Sequence, residues 1–155
     1  MMDNALQRAA SQPHERFLLN LALSHFLLPA ILFATKNLWL IFTLPVFIST
    51  MVIASLAWQA SRPAGKSDLV LAHWQLAWRR GCYLLLTYGL TALLFLISLW
   101  LTQDIASSPD QFIQRAVLGL FVLMPLSLIL VVLLILETSA LAQSRQGKMP
   151  SQMRL

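Results

Sequence analysis

Four stretches of this chain match the thickness of a bilayer without a single Asp, Glu, Lys or Arg: residues 17–35, 38–58, 82–101 and 116–136. A hydrocarbon layer of about 30 Å needs about 20 apolar residues at about 1.5 Å of helical rise each, and all four runs meet that length. A charge-free core avoids the cost of about 2.5 kcal/mol or more that one central charge adds to insertion. Composition agrees, since 58% of the 155 residues are hydrophobic and 11% charged, against about 25% charged in a soluble domain. In water such a chain would expose large adhesive patches, so its expected solvent is lipid. The expected fold is all-α, an integral membrane four-helix bundle forming one domain over residues 1–155. The first run is read as a span rather than a cleaved leader, because its core is long and Leu32, two before Ala34, spoils the small-x-small cleavage pattern.

Orientation follows from the cations, which are retained on the cytoplasmic side. The tail 1–16 carries Arg8 and Arg16, the connection 59–81 carries Arg62, Lys66, Arg79 and Arg80, and the tail 137–155 carries Arg145, Lys148 and Arg154. Against those nine stand two, Lys36 in the turn after the first span and Arg115 in the loop 102–115, which Asp104 and Asp110 make locally acidic. Both termini are therefore expected in the cytoplasm (N-in/C-in), with 102–115 as the outer loop. The net charge of +5 is accounted for by these flanks and calls for no nucleic acid. Compact loops and no targeting extension suggest a bacterial cytoplasmic (inner) membrane.

The connections carry local signals of their own. Thr35-Lys36-Asn37 has room only for a hairpin turn, which makes the first two spans antiparallel neighbours. Ser108-Pro109-Asp110-Gln111 has the cap and first-turn proline of a helix start, and nothing breaks that helix before Gly147, so it is expected to run to about Gln143. After the turn at Ser61–Lys66, Ser67 or Asp68 can cap a short amphipathic cytoplasmic helix over Leu69–Arg80, with Gly81 as a bend before the third span. That helix either lies on the membrane surface or extends the span inward. Trp74 and Trp78 form an indole stripe suited to the headgroup zone, Arg79 and Arg80 anchor the span at phosphate level, and His73 shares a face with Ala77 and Arg80 that suits an anionic headgroup or an acidic partner.

In lipid, helices associate through small residues and hydroxyls. Thr43, Thr50 and Ala54 on the second span, with Thr87, Thr91 and Ser98 on the third, form two narrow stripes and are the expected packing seam. Pro29, Pro45 and Pro125 lie within three of the spans, where each removes a backbone hydrogen bond. His25 is the one ionisable group near mid-depth of the first span. It is read as a neutral imidazole bonded to a neighbouring hydroxyl or carbonyl; the alternatives are haem ligation, proton handling and a quinone contact. His73 and His14 flank the spans rather than enter them, so a bis-histidine haem is not expected within one chain. Glu137, at the edge of the fourth span, has Arg79 or Arg80 as an ion-pair partner or water as its solvent.

No nucleophile with its base, carboxylate pair or metal cluster emerges, and the lone Cys82 has no nearby activating histidine. The expectation is a non-catalytic polytopic membrane protein without cofactor or metal, acting as an accessory subunit or assembly and interaction factor. Its partners would be the bilayer and another membrane protein or a second copy of itself. The alternatives are a small dimeric transporter, which the chain resembles in span number alone since its spans hold no acid, and a haem- or quinone-associated anchor.

Overall fold

The computed structural model describes residues 2–102 and 109–150. Its helices are α1 Met2–Ala22, α2 Leu28–Leu32, α3 Leu38–Ala60, α4 Asp68–Leu101 and α5 Pro109–Arg145, and no strand occurs among the described residues. Four helical stretches are long and apolar enough to cross a membrane: Asn4–Thr35, Leu38–Ala60, Asp68–Leu101 and Val117–Arg145. The chain divides into two compact units, one of Met1–Cys82 with Leu133–Leu155 and one of Tyr83–Val132. Ser108, expected to cap the last helix, lies outside the described residues.

The first helix starts well before the apolar run. Residues 2–16 are helical rather than a tail, because Ala, Leu, Gln and Arg favour helix whether or not they enter lipid. Near Pro29 the helix widens into a π turn over Leu23–Leu27, in which the Leu28 N–H bonds to the Leu23 carbonyl, five residues back. Pro29, which has no N–H to give to the ladder, is the second residue of α2, directly after this turn. A 3-10 turn over Phe33–Thr35 follows, Lys36 takes a left-handed conformation with φ 55°, and the Asn37 side chain caps α3 by accepting the Leu40 N–H at 3.2 Å.

Residues 68–101 form one unbroken helix, so the segment over 69–80 extends the third span rather than standing as a separate short helix. Gly81 serves close approach: a Cβ there would lie 2.8 Å from Ile53 Cγ2 on α3. The start of α4 is capped by Ser67, whose hydroxyl accepts the Val70 N–H at 3.5 Å. The end of α3 is closed by Lys66, whose ammonium donates to the carbonyls of Gln59 and Arg62, a cation at the negative end of a helix. Gly147 ends α5 with φ +67°; its N–H bonds to Ser144 O at 3.0 Å and the Lys148 N–H to Gln143 O at 3.0 Å. This is a Schellman motif, which glycine enters without strain.

Buried side chains of the first unit recur at helical spacing. They include Ala10, His14, Phe17, Leu21 and Ser24 at the N-terminus, Ser49, Ile53, Leu56 and Ala60 on α3, and Leu133, Glu137, Ala140 and Ser144 on α5. Asn20 donates to Ser49 Oγ across the α1–α3 contact at 2.9 Å and accepts from Ser24 Oγ at 3.0 Å. In the second unit Val122 and Leu130 are buried.

Candidate functional site

The buried stripes of α1, α4 and α5 each carry polar side chains at one level of the first unit. His14 and His73 are 0% exposed, as is Glu137, and Arg80 is 5% exposed. Glu137 Oε2 lies 2.6 Å from His14 Nδ1, His14 Nε2 lies 2.9 Å from His73 Nδ1, and His73 Nε2 lies 3.0 Å from the Lys148 carbonyl. On the other carboxylate oxygen, Arg80 Nη1 donates to Glu137 Oε1 at 3.0 Å and also to the Leu136 carbonyl at 2.9 Å. The imidazole rings meet edge to face, with centroids 5.1 Å apart and planes at 88°. The turn at Gly147 aims the Lys148 carbonyl that ends the chain of bonds.

The donors can be counted from this far end. A carbonyl only accepts, so His73 Nε2 carries hydrogen, and a neutral His73 presents Nδ1 as an acceptor. Burial pushes the His73 imidazole below the usual histidine range, and nearby His14 and Arg80 act in the same direction, against the Lys148 carbonyl and Glu137. The neutral form is therefore the one at hand, and His14 Nε2–H is its donor. Between His14 Nδ1 and Glu137 Oε2 one further hydrogen is needed, since a bare nitrogen facing a carboxylate would be two acceptors in contact. The pair is either imidazolium with carboxylate or imidazole with carboxylic acid, and in both forms one proton lies between Nδ1 and Oε2. Between His14 and Glu137 the cluster shares one proton, buried from the protein surface.

A bonded, buried ion pair of this kind ties the segments that carry it. Pairing inside a low dielectric offsets desolvation only while each partner remains, and removal of one strands the other. Its chemistry is that of a clamp and of a proton store. Among the described residues no group of three or more His, Cys, Asp or Glu side chains is placed to hold a metal ion.

Several sequence expectations meet different surroundings here. His73 and Arg80 do share a face with Ala77, but all three are buried, which withdraws them from headgroups. Trp74 is 3% exposed, Trp78 half-buried and Arg79 exposed, so the two indoles do not form one exposed stripe. Arg80, one of the two arginines expected for it, makes the ion pair with Glu137. Two histidines do meet within one chain, His14 with His73, yet they bond directly to one another, leaving no space between the rings for a macrocycle. His25 is half-buried on the π turn, outside the cluster. On α3, Thr43 and Ala54 are exposed and Thr50 half-buried, and the contact stripe is that of Ser49, Ile53, Leu56 and Ala60. Thr87, Thr91 and Ser98 are half-buried in the second unit.

His14 is the member that the sequence reading passed over. Its signal was the spacing Ala10, His14, Phe17, Leu21, a stripe that continues the apolar face of the first span back into polar sequence. Comparison with protein-family models, with curated proteins and with solved structures returned no match.

Proposed function

We propose that this chain is a non-catalytic integral membrane protein of a bacterial inner membrane, with both termini cytoplasmic, that serves as an accessory or interaction subunit of a membrane complex. The observation that carries this reading is the closed cluster: four side chains that chemistry would use are spent on one another at 2.6–3.0 Å, and the three that touch the shared proton path are 0% exposed. Groups so arranged hold helices together and offer a substrate nothing. The outward faces are apolar, with Trp39 at 75%, Leu120 at 72% and Leu86 at 69% exposed, and suit lipid or another membrane protein. Purification in mild detergent tests the reading. A stoichiometric membrane partner, or a second copy of the chain, is expected to copurify, and a chain that runs alone as a monomer overturns it. Compartment reporters fused to the two ends are expected to report the cytoplasm alike.

The shared proton favours one second reading, proton-coupled transport, because His14 and Glu137 form a buried acid–base pair that the apolar runs themselves lack. Proteoliposomes separate the two: proton flux that disappears in Glu137→Gln supports transport, and equal, background flux in both proteins leaves the accessory role.

A further inference from the structure

Arg16, Lys66 and Trp74 stand apart from the buried cluster and surround a cleft of about 470 Å³ in the first unit, with Gln12, Gln59 and Ser67 also in its wall. The Arg16 guanidinium carbon and the Lys66 ammonium each lie 5.4 Å from the centroid of the Trp74 ring. The two cations are therefore within twice that distance of each other. Like charges gathered on one indole repel, and none of the described residues lining the cleft is acidic. Burial and the neighbouring Arg62 already pull the Lys66 ammonium below the usual lysine range. Lys66 spends its hydrogens on the Gln59 backbone and side chain and on Arg62 O, so it supplies charge, while the planar Arg16 fork is suited to donate.

Position adds a second argument. Arg16 directly precedes the first apolar run and Lys66 falls between the second and third, which is the depth of lipid phosphates at the end of a membrane-crossing helix. We propose that this cleft binds a phosphate ester, with Arg16 bonding the oxyanion, Lys66 balancing its charge, and the amide of Gln12 and hydroxyl of Ser67 completing the donors. Two sources carry that chemistry, the headgroup of an anionic lipid and a soluble phosphate ester. The depth argument rests on the membrane reading; the cation pair on Trp74 does not.

Native mass spectrometry of the full chain, released from micelles doped with phosphatidylglycerol or phosphatidylcholine, tests the site. One phosphatidylglycerol per chain is expected to be retained, about tenfold over phosphatidylcholine. That preference is expected to vanish in Arg16→Gln and to survive in part in Arg16→Lys. Arg16 is exposed, so the melting temperature of Arg16→Gln checks that the fold is unchanged. A second arm adds glycerol 1-phosphate to the detergent-solubilised protein. Binding that depends on Arg16, without lipid retention, assigns the site to a soluble ester. Equal retention of both lipids with no glycerol 1-phosphate binding overturns the proposal, as does full retention in a folded Arg16→Gln. Release of the chain from membranes by carbonate would undo the membrane reading alone, because the glycerol 1-phosphate arm needs no bilayer.

Discussion

Replacing Glu137 with Gln keeps the volume of the side chain and removes its charge from a site that is 0% exposed. Two bonds depend on the carboxylate, the 2.6 Å contact with His14 and the 3.0 Å contact with Arg80. The amide oxygen can still accept from Arg80, but the guanidinium then sits buried without a counter-charge, and the proton on His14 loses its partner. Breaking a buried pair from one side costs about 3–5 kcal/mol, which at about 1.4 kcal/mol per decade is a loss of roughly a hundredfold to several thousandfold in the folding equilibrium. The molecule supplies its own control. Arg145 and Glu15 also form an ion pair, at 3.2 Å, with side chains 64% and 48% exposed, and Glu15→Gln is expected to cost less than about 1 kcal/mol. Unfolding of the purified protein by SDS titration from mild detergent, followed by circular dichroism, measures both. A third variant separates a clamp from simple packing. His14→Leu, Arg80→Met and Glu137→Leu together remove the carboxylate and both of its partners and leave the neutral His73, and the triple variant is expected to be more stable than Glu137→Gln alone, since no charge is stranded. Equal losses for Glu137→Gln and Glu15→Gln would refute the reasoning.

Gly81→Ala places a Cβ 2.8 Å from Ile53 Cγ2, on a β-branched side chain with little freedom to move, and is expected to cost about 1–3 kcal/mol; the same titration in Gly81→Ala with Ile53→Ala should recover part of it. Asn20→Ala removes the Asn20–Ser49 and Ser24–Asn20 bonds and is expected to cost about 0.6 kcal/mol and at most about 1.7, the range for hydrogen bonds between membrane helices. Acid should destabilise through His73, which precedes the apolar segment of α4. Its folded form binds a proton less readily than its unfolded form, because burial dominates and because His14, Arg80, Glu137 and the Lys148 carbonyl surround it. The stability tied to the neutral ring is present above the ordinary histidine value of about 6.5 and is lost as pH falls through it. SDS titrations at a series of pH values should show that slope, and it should be shallower in His73→Gln.

The spans were legible because a missing charge is a strong and local signal, and so were two ends of elements where one residue does one job: Ser67 opens a helix and Gly147 closes one. The start of α1 was not, since apolarity marks where lipid begins and says nothing of where a helix begins. On α3 the buried stripe is not the threonine stripe, for a related reason. Thr43 and Thr50 satisfy their hydroxyls on their own helix, bonding to Trp39 O at 2.6 Å and Val46 O at 2.8 Å, and Thr87 does the same with Tyr83 O at 2.8 Å. A hydroxyl content with its own backbone needs no neighbour, so a stripe of threonines does not by itself identify a contact face. For Glu137 the sequence offered Arg79, Arg80 or water, and Arg80 is its partner, but His14 lies 123 residues from it; no spacing rule joins two polar residues so far apart, and only the packing of the α1 and α5 stripes brings them together.

The central claim is that His14, His73, Glu137 and Arg80 form one buried chain of bonds with a proton held between His14 and Glu137. Nitrogen-15 NMR of the histidine side chains in bilayers, assigned with His14→Leu, His25→Leu and His73→Gln, observes it directly. The account predicts His73 as the neutral tautomer protonated at Nε2, with His14 protonated at Nε2 and its Nδ1 coupled to a strongly deshielded proton. In Glu137→Gln that proton signal should disappear. Two imidazoles that titrate independently near the ordinary histidine value, with signals unaltered by the loss of Glu137, would contradict it.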